Sequence, residues 1–529
     1  MLIRRLSGLF LAFMLLALVA PAHAQTPPAD QAQADCKALS RTDFSKVQDA
    51  PTHVMTAQLV AATGTKPAYC QVNGYISPNI LFEMRLPPTG WNGKFMKLGC
   101  GGFCGMLVTE GCNGPVARGY ACIADNMGHV STPLDAKWAY NNLQGEYDFG
   151  IRSTHVTALA GKAITAAYYH RGPDHSYHVG CSTGGREGMI AAQRFPTDFD
   201  GIVVGAPAIH ETGSGYSLLW NAMAALRPDG SPLLTPDDVR LVHRAAVAAC
   251  DGKDGLKDGI IDNPRQCRFD PRSLVCKGAG GGACLTADKA AAVAKIYGGA
   301  VDSKGRRLFA GTAMPGSELN WIGPYVSPDG GPSIYANFIG DMMRYMNFDP
   351  DPGPSWKMTD FDWDKDIARM DMREALYNAQ NPDLRRFRDA GGRMIVFQGW
   401  ADQSILPENI IDYVETATRT MGGHDATSAF MRLFMVPGMN HCTGGDGAWM
   451  IDYIDALEKW VEGGKAPEKL VGYHPREGST PPAYYSKLPE KPDAAFSRAF
   501  YAWPAETRYD GKGDPNDAAS FRPLPSSKR

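Results

Sequence analysis

Three residue types that together can activate a nucleophile stand in order along this chain: Ser182 early, then Asp402 and His441 late. Ser182 lies in Gly180-Cys181-Ser182-Thr183-Gly184, a match to G-x-S-x-G, in which a serine sits on a sharp strand-to-helix turn. A serine hydroxyl is a poor nucleophile until a base reaches it. Such a turn exposes Oγ and sets the next backbone N–H at a helix N-terminus, where a developing oxyanion can be held. In this constellation Ser182 would attack an ester carbonyl. His441 would take the proton and return it to the leaving alcohol, and Asp402 would fix the imidazole tautomer. The oxyanion would bind the Thr183 N–H together with that of Gly101 or Gly102, and losing one such donor costs about 2.7–4 kcal/mol. G-x-S-x-G alone is a weak signal; the order and placement of the other two residues strengthen it. Histidines such as His129, His155, His178 and His424 are more often core or surface residues than catalytic ones. His441 differs because it sits in a Gly-rich turn after a strand in the right order, and neither Asp412 nor Asp446 directly follows a strand end as Asp402 does.

The elements needed to position these groups are visible on either side. Tyr177 to Val179 is a short apolar run before the serine, and Glu187 to Arg194 is compatible with a helix after it. Phe82–Leu86, Lys94–Leu98, Tyr120–Ala124 and Gly201–Val204 read as strands, and 149–170 carries apolar residues at helical spacing. Strand texture returns at Arg393–Phe397, before Asp402, and at Met431–Val436, before His441. The alternation predicts an α/β chain with a mainly parallel sheet, and the Ser, Asp, His order is that of an α/β-hydrolase fold. The glycine-rich stretch 99–105 follows an early strand, where such folds supply a second oxyanion N–H, although by itself it also reads as a plain stapled loop. Residues 210–390 are rich in Gly, Pro, Asp and aromatic residues with few buried-strand runs, and read as an inserted lid; 25–209 and 391–529 would form the catalytic domain. Of the lid aromatics Tyr216, Trp220, Trp321, Tyr325, Tyr335, Phe338, Tyr345 and Phe348, most are expected in the lid core and a minority over the serine.

At 529 residues, with 44% hydrophobic residues and a net charge of −3, the chain can bury a large core. Nothing in its charge favours nucleic acid or a membrane surface as a partner; a monomer acting on a small molecule is expected. Residues 1–24 read as a secretory signal peptide: Arg4 and Arg5, an apolar run from Leu9 to Val19, then Ala22-His23-Ala24 as a cleavage site. The mature protein is therefore expected to be periplasmic or secreted, and its 12 cysteines to form disulfides. Cys250 with Cys267, Cys276 with Cys284 and Cys36 with Cys70 are the short-range candidates. Cys100, Cys104, Cys112 and Cys122 should make two local bridges in an order the spacing leaves open. Cys181 and Cys442 remain. Each adjoins a proposed catalytic residue, so if Ser182 and His441 meet, their neighbours fall near the roughly 4.4–6.8 Å Cα separation of a disulfide.

A second cluster runs from Cys250 to Cys267. Asp251, Asp254 and Asp258 are spaced by glycines in a stapled loop, which suits a hard cation with oxygen ligands, most simply a structural Ca²⁺. The loop is not an EF-hand, since that register would place Leu256 and Arg265 at ligand positions; an acidic solvated turn is the plainer alternative.

Assembled, the chain resembles the tannase/feruloyl esterase family, which is marked by a cysteine before the serine, a cysteine after the histidine and an aspartate between them: Cys181-Ser182, Asp402 and His441-Cys442. The resemblance spans essentially the whole mature chain. It implies Ca²⁺ held by the side chains of Asp251, Asp254 and Asp258 and the main-chain oxygens of Leu256 and Ile260. It also implies a substrate among feruloyl esters, gallate esters of tannins and mono(2-hydroxyethyl) terephthalate, with hydroxycinnamoyl esters foremost. One departure is the tail: many members carry a C-terminal disulfide there, yet no cysteine stands near Tyr501 or Arg522, and a looser tail is expected. From the triad alone a serine peptidase is a rival. From another class, the rival is an inactive hydrolase fold used as a binding module, against which the intact Ser/Asp/His set argues.

Overall fold

The computed structural model describes residues 29–277, 283–482 and 485–524. The expected signal peptide lies outside them. At the centre is a nine-stranded sheet: β1 (Thr52–Val60), β2 (Tyr69–Ile76), β3 (Ile80–Leu86), β4 (Lys94–Leu98), β5 (Ala121–Asp125), β6 (His175–Cys181), β7 (Gly201–Gly205), β8 (Arg393–Gly399) and β9 (Met431–Val436). Their spatial order is β1-β2-β3-β5-β4-β6-β7-β8-β9. From β5 to β9 every pairing is parallel. These strands are covered on both faces, which is why β5, β7 and β8 read as unbroken apolar runs.

The antiparallel leader β1–β2–β3, joined to β5, is an addition to the expected parallel sheet. Two of its strands left little trace in the sequence. β1 sits at the sheet edge with most side chains solvated, and β2 contains Asn73 and Gly74, which disfavour strands. Gly74 lies opposite a register shift in β1, where a Cβ would come within 2.3 Å of the His53 carbonyl oxygen.

One face of the sheet packs Phe82, Ile123, Val156 and Ile164 into a core with the helix Ser153–Tyr169; the other packs Tyr177, Val203, Phe397 and Tyr453 with the helix Tyr453–Gly463. Between β7 and β8 the chain leaves the sheet. Most of a separate apolar cluster comes from that excursion, including Tyr216, Trp321, Tyr325, Tyr345 and Phe348.

The tail is better anchored than the missing disulfide suggested. β10 (Lys469–Pro475) pairs with β11 (Ala494–Tyr501), and β12 (Glu506–Tyr509) with β13 (Phe521–Leu524). Trp503 donates its N–H to the Leu433 carbonyl (2.8 Å), so this segment covers the β9 edge. Where a cross-link is absent, the Tyr501 hydroxyl donates to the Phe521 carbonyl at 3.1 Å.

Beneath the serine turn lies a buried ion cluster. Lys97 in β4 contacts Glu187, five residues after the serine, and Asp125 at 3.3 Å, all three side chains being at most 1% exposed. Burial alone would pull the Lys97 ammonium down, but the Asp125 and Glu187 carboxylates outweigh it and hold its pKa above the ordinary lysine value. Glu187 also accepts from the Cys100 N–H (3.0 Å) and the Thr154 hydroxyl (3.0 Å). Removing one partner strands a buried charge, a change worth about 3–5 kcal/mol. Lys97→Met and Glu187→Leu should each destabilise the protein by that order, and the double variant by clearly less than their sum; additive costs in a denaturation cycle would show the two groups to be uncoupled.

Candidate active site

Ser182 terminates β6 and precedes the helix Thr183–Arg194, with φ +63° and ψ −123°. That backbone conformation is strained for a serine and persists only where the surroundings over-determine it. They do. The Ser182 N–H donates to the Gly205 carbonyl (2.9 Å), and the Ser182 carbonyl accepts from Arg186 and Ala208. The Gly184 N–H donates to the Cys100 carbonyl (2.8 Å), and the Thr183 hydroxyl to that of Gly102 (2.6 Å). Gly184 has to be glycine because a Cβ there would lie 2.9 Å from the Gly99 Cα and the Cys100 oxygen. His178 is fully buried, and burial followed by the nearby Lys97 charge depresses its pKa to about 3. Its neutral ring is 2.8 Å through Nε2 from the Gly184 carbonyl, so Nε2 carries the proton and donates.

The β8 and β9 turns bring the other two residues together. Asp402, wholly buried, accepts from the Ser404 (2.8 Å) and Ile405 (2.9 Å) N–H groups through Oδ1, and from the Gln398 amide (3.1 Å) through Oδ2. His441 Nδ1 reaches Oδ2 at 2.9 Å and Oδ1 at 3.1 Å. A carboxylate can only accept, so Nδ1 carries the proton and Nε2 keeps its lone pair. Asp412 and Asp446 make no such contact with the ring among the described residues.

Ser182, Thr183, Gly102 and His441 all line one cavity of about 190 Å³. Gly101 is exposed and is not among its lining residues. The opposite wall comes from the excursion between β7 and β8, including Leu218, Tyr335, Phe338 and Met342. Of the eight aromatic residues singled out there, only Tyr335 and Phe338 line the cavity; Trp220 packs on Lys295 and Trp363, and the others sit in the apolar cluster.

All 12 cysteines are paired. Cys36–Cys70, Cys250–Cys267 and Cys276–Cys284 form as spacing suggested, and the open quartet resolves as Cys100–Cys104 and Cys112–Cys122. Cys181–Cys442 joins the serine turn to the histidine loop across 261 residues, with a Cα separation of 5.9 Å.

In the stapled loop the donor set is all oxygen. Asp251 accepts from the Asp258 and Gly259 N–H groups, Asp254 from Leu256 and Asp258 from Ile260. Three carboxylate oxygens do not converge within 4.8 Å here; among the described residues the one metal-like cluster is Cys100, Cys104 and Glu187, whose cysteines are already bonded to each other. Negative charge is nonetheless crowded. Burial, then the Asp254 and Asp258 carboxylates, push Asp262 well above the usual carboxylate range. Among the described residues, Arg498 forms an ion pair with the loop, 2.7 Å from Asp258. The chemistry of these donors fits a hard divalent cation.

Sequence reading missed Lys97, Glu187 and Arg498. The signal available for Lys97 was a lysine at an interior position of a buried strand; Arg498, far along the chain, offered none.

The chain matches the family described as tannase and feruloyl esterase over residues 61–524. It is 34% identical to an uncharacterized esterase of Xanthomonas campestris pv. campestris, covering 98% of this chain and 95% of that protein. With the mono(2-hydroxyethyl) terephthalate hydrolase of Piscinibacter sakaiensis it shares 32% identity over 88% of this chain and 86% of that one. The crystal structure of feruloyl esterase B from Aspergillus oryzae superposes with a TM-score of 0.81 at 25% identity, covering 93% of this chain and all of that one.

The disulfide beside the site closes by far the longest loop in the protein. A Cys181→Ala/Cys442→Ala variant should lose about 2–5 kcal/mol of stability and a large part of the esterase activity; an unchanged melting temperature would show the bridge to be idle.

Proposed function

The chain belongs to the tannase and feruloyl esterase family of carboxylic ester hydrolases, and on that premise we propose that it cleaves esters of aromatic acids through an acyl-enzyme on Ser182. The observation that carries this reading is the pairing of His441 Nδ1 with a buried, fully hydrogen-bonded Asp402, with His441 and Ser182 on one cavity wall. His441 Nε2 takes the Ser182 proton as Oγ attacks the ester carbonyl. The oxyanion is held by the N–H of Thr183 at the start of its helix and by that of Gly102, which lines the cavity where Gly101 does not. His441 then protonates the leaving alcohol, and water repeats the sequence on the acyl-enzyme.

Residues 210–390 act as a lid that supplies the substrate wall, borne by the sheet domain of 25–209 and 391–529. Tyr335 and Phe338 make that wall suited to an aromatic acyl group. Hydroxycinnamoyl esters are the first choice; gallate esters and the terephthalate half-ester, the latter cleaved by a 32% identical relative, are the alternatives. Six disulfides fit an oxidising compartment, so we place the protein outside the cytoplasm after cleavage behind Ala24.

Ser182→Ala should reduce hydrolysis of p-nitrophenyl acetate by at least about a thousandfold with folding intact; equal rates for the two proteins would eliminate the serine mechanism.

Ca²⁺ would be held by the side chains of Asp251, Asp254 and Asp258 with the carbonyl oxygens of Leu256 and Ile260, supplying charge neutralisation rather than chemistry at the ester. Stripping the protein with a chelator should lower its melting temperature, and adding Ca²⁺ back should restore it. An unmoved melt, with no calcium found by elemental analysis, would remove the metal from the account.

A further inference from the structure

One acidic side chain in the cavity has no role in the triad. Glu211 opens the helix Glu211–Ala224, is 6% exposed, and lines the same cavity as Ser182 and His441. No donor hydrogen-bonds its carboxyl group among the described residues. Arg186 is the charge that favours its ionised form, and the Arg186 Nη atoms bond the Phe149, Gly150 and Tyr377 carbonyls. Burial raises the Glu211 pKa above the usual carboxylate value. A polar group this buried is costly to leave without a partner, and the open side of Glu211 is the substrate space.

No lysine or arginine lines that cavity among the described residues. Apart from His441, its other polar groups are hydroxyls and backbone, and Tyr335 and Ser404 are bonded to each other. An acyl group with ring hydroxyls finds in Glu211 a hydrogen-bond partner. An acyl group with a second, ionised carboxylate finds no cation and a second acid. On the reading that this cavity takes the acyl part of the ester, we infer that Glu211 is a specificity residue: it selects esters of hydroxylated aromatic acids and rejects esters of aromatic diacids. Recognition is thus half attraction and half exclusion. A site built to bond a hydroxyl discriminates strongly against the analogue lacking it, because its own buried group then goes unpaired.

A matched series of methyl 3,4-dihydroxycinnamate, methyl cinnamate and methyl 4-carboxycinnamate separates the two halves. The wild-type protein should favour the dihydroxy ester over the plain one by about tenfold or more in kcat/KM, and disfavour the carboxy ester by at least the same factor. In Glu211→Leu the hydroxyl preference should collapse towards unity. In Glu211→Gln it should persist, because an amide still bonds a hydroxyl, while the carboxy ester gains about tenfold relative to the plain one. Each ratio is taken within one protein, so the folded fraction cancels, and Glu211→Gln decides the matter if Glu211→Leu does not fold. Ratios identical in wild type and variant would overturn the inference. A wild-type protein that cleaves p-nitrophenyl acetate yet shows no hydroxyl preference sinks the role of Glu211 alone. One inert to every ester sinks the esterase reading, and this inference with it.

Discussion

Charge buried beneath the serine turn is the constraint on which the rest of the site depends. Lys97, Glu187 and Asp125 come from β4, the serine helix and β5, so their contact fixes three elements at one point. Glu187 extends that fix to a fourth by accepting the Cys100 N–H, at the root of the glycine-rich loop. A hydrophobic contact would tolerate sliding by an ångström. A buried ion cluster does not, because each small displacement leaves a charge or a donor unpaired in a medium that solvates it poorly. Two structures that chemistry needs in register, the serine turn and the loop that faces it, are therefore held by the same carboxylate.

Above this anchor the strained turn is held from several sides. Ser182 at φ +63° would relax if its neighbours allowed it. The glycines at 99 and 184 let the two backbones touch, His178 holds the Gly184 carbonyl, and the disulfide from Cys181 reaches the histidine loop. Cys442 also has a positive φ, +67°, so both cysteine-bearing turns are bent and each restrains the other. Held in this way, the Ser182 hydroxyl and the His441 imidazole are restrained by the fold itself, the condition that preorganised sites rely on.

How much of this was legible depended on the physics of each part. That Asp402 and His441 would meet was, because each stands in the turn after a largely apolar parallel strand, β8 or β9, and Ser182 follows the shorter stretch Tyr177–Val179. Cys181 and Cys442 were, because adjacency to two residues that must meet is a geometric statement. The edge strand β1 was not: one face is solvated, so its sequence lacks the apolar signal of β5 or β7. Glu187 was overlooked because it looks like an ordinary surface residue until strand and helix are packed together, and Lys97 because a lysine inside a buried strand does not by itself name its partners. The acidic loop was visible from its Asp-Gly spacing, whereas its link to the tail was not, since Arg498 and Asp258 lie 240 residues apart.

The division of labour between the walls of the cavity follows from the same topology. Ser182, Thr183, Asp402 and His441 sit in the turns after sheet strands or at the start of the serine helix, where position is fixed by hydrogen-bond ladders and buried charge. Most of the facing wall comes from the excursion between β7 and β8, whose side chains pack in their own apolar cluster and can vary without disturbing the sheet. A substitution there changes what fits against the serine while leaving the serine where it is. Glu211 stands at the seam, in the first turn of the first helix after β7, close enough to the sheet to feel Arg186 and yet facing the substrate space. Such a position can tune the polarity of the acyl pocket at little cost to the machinery that opens the ester bond.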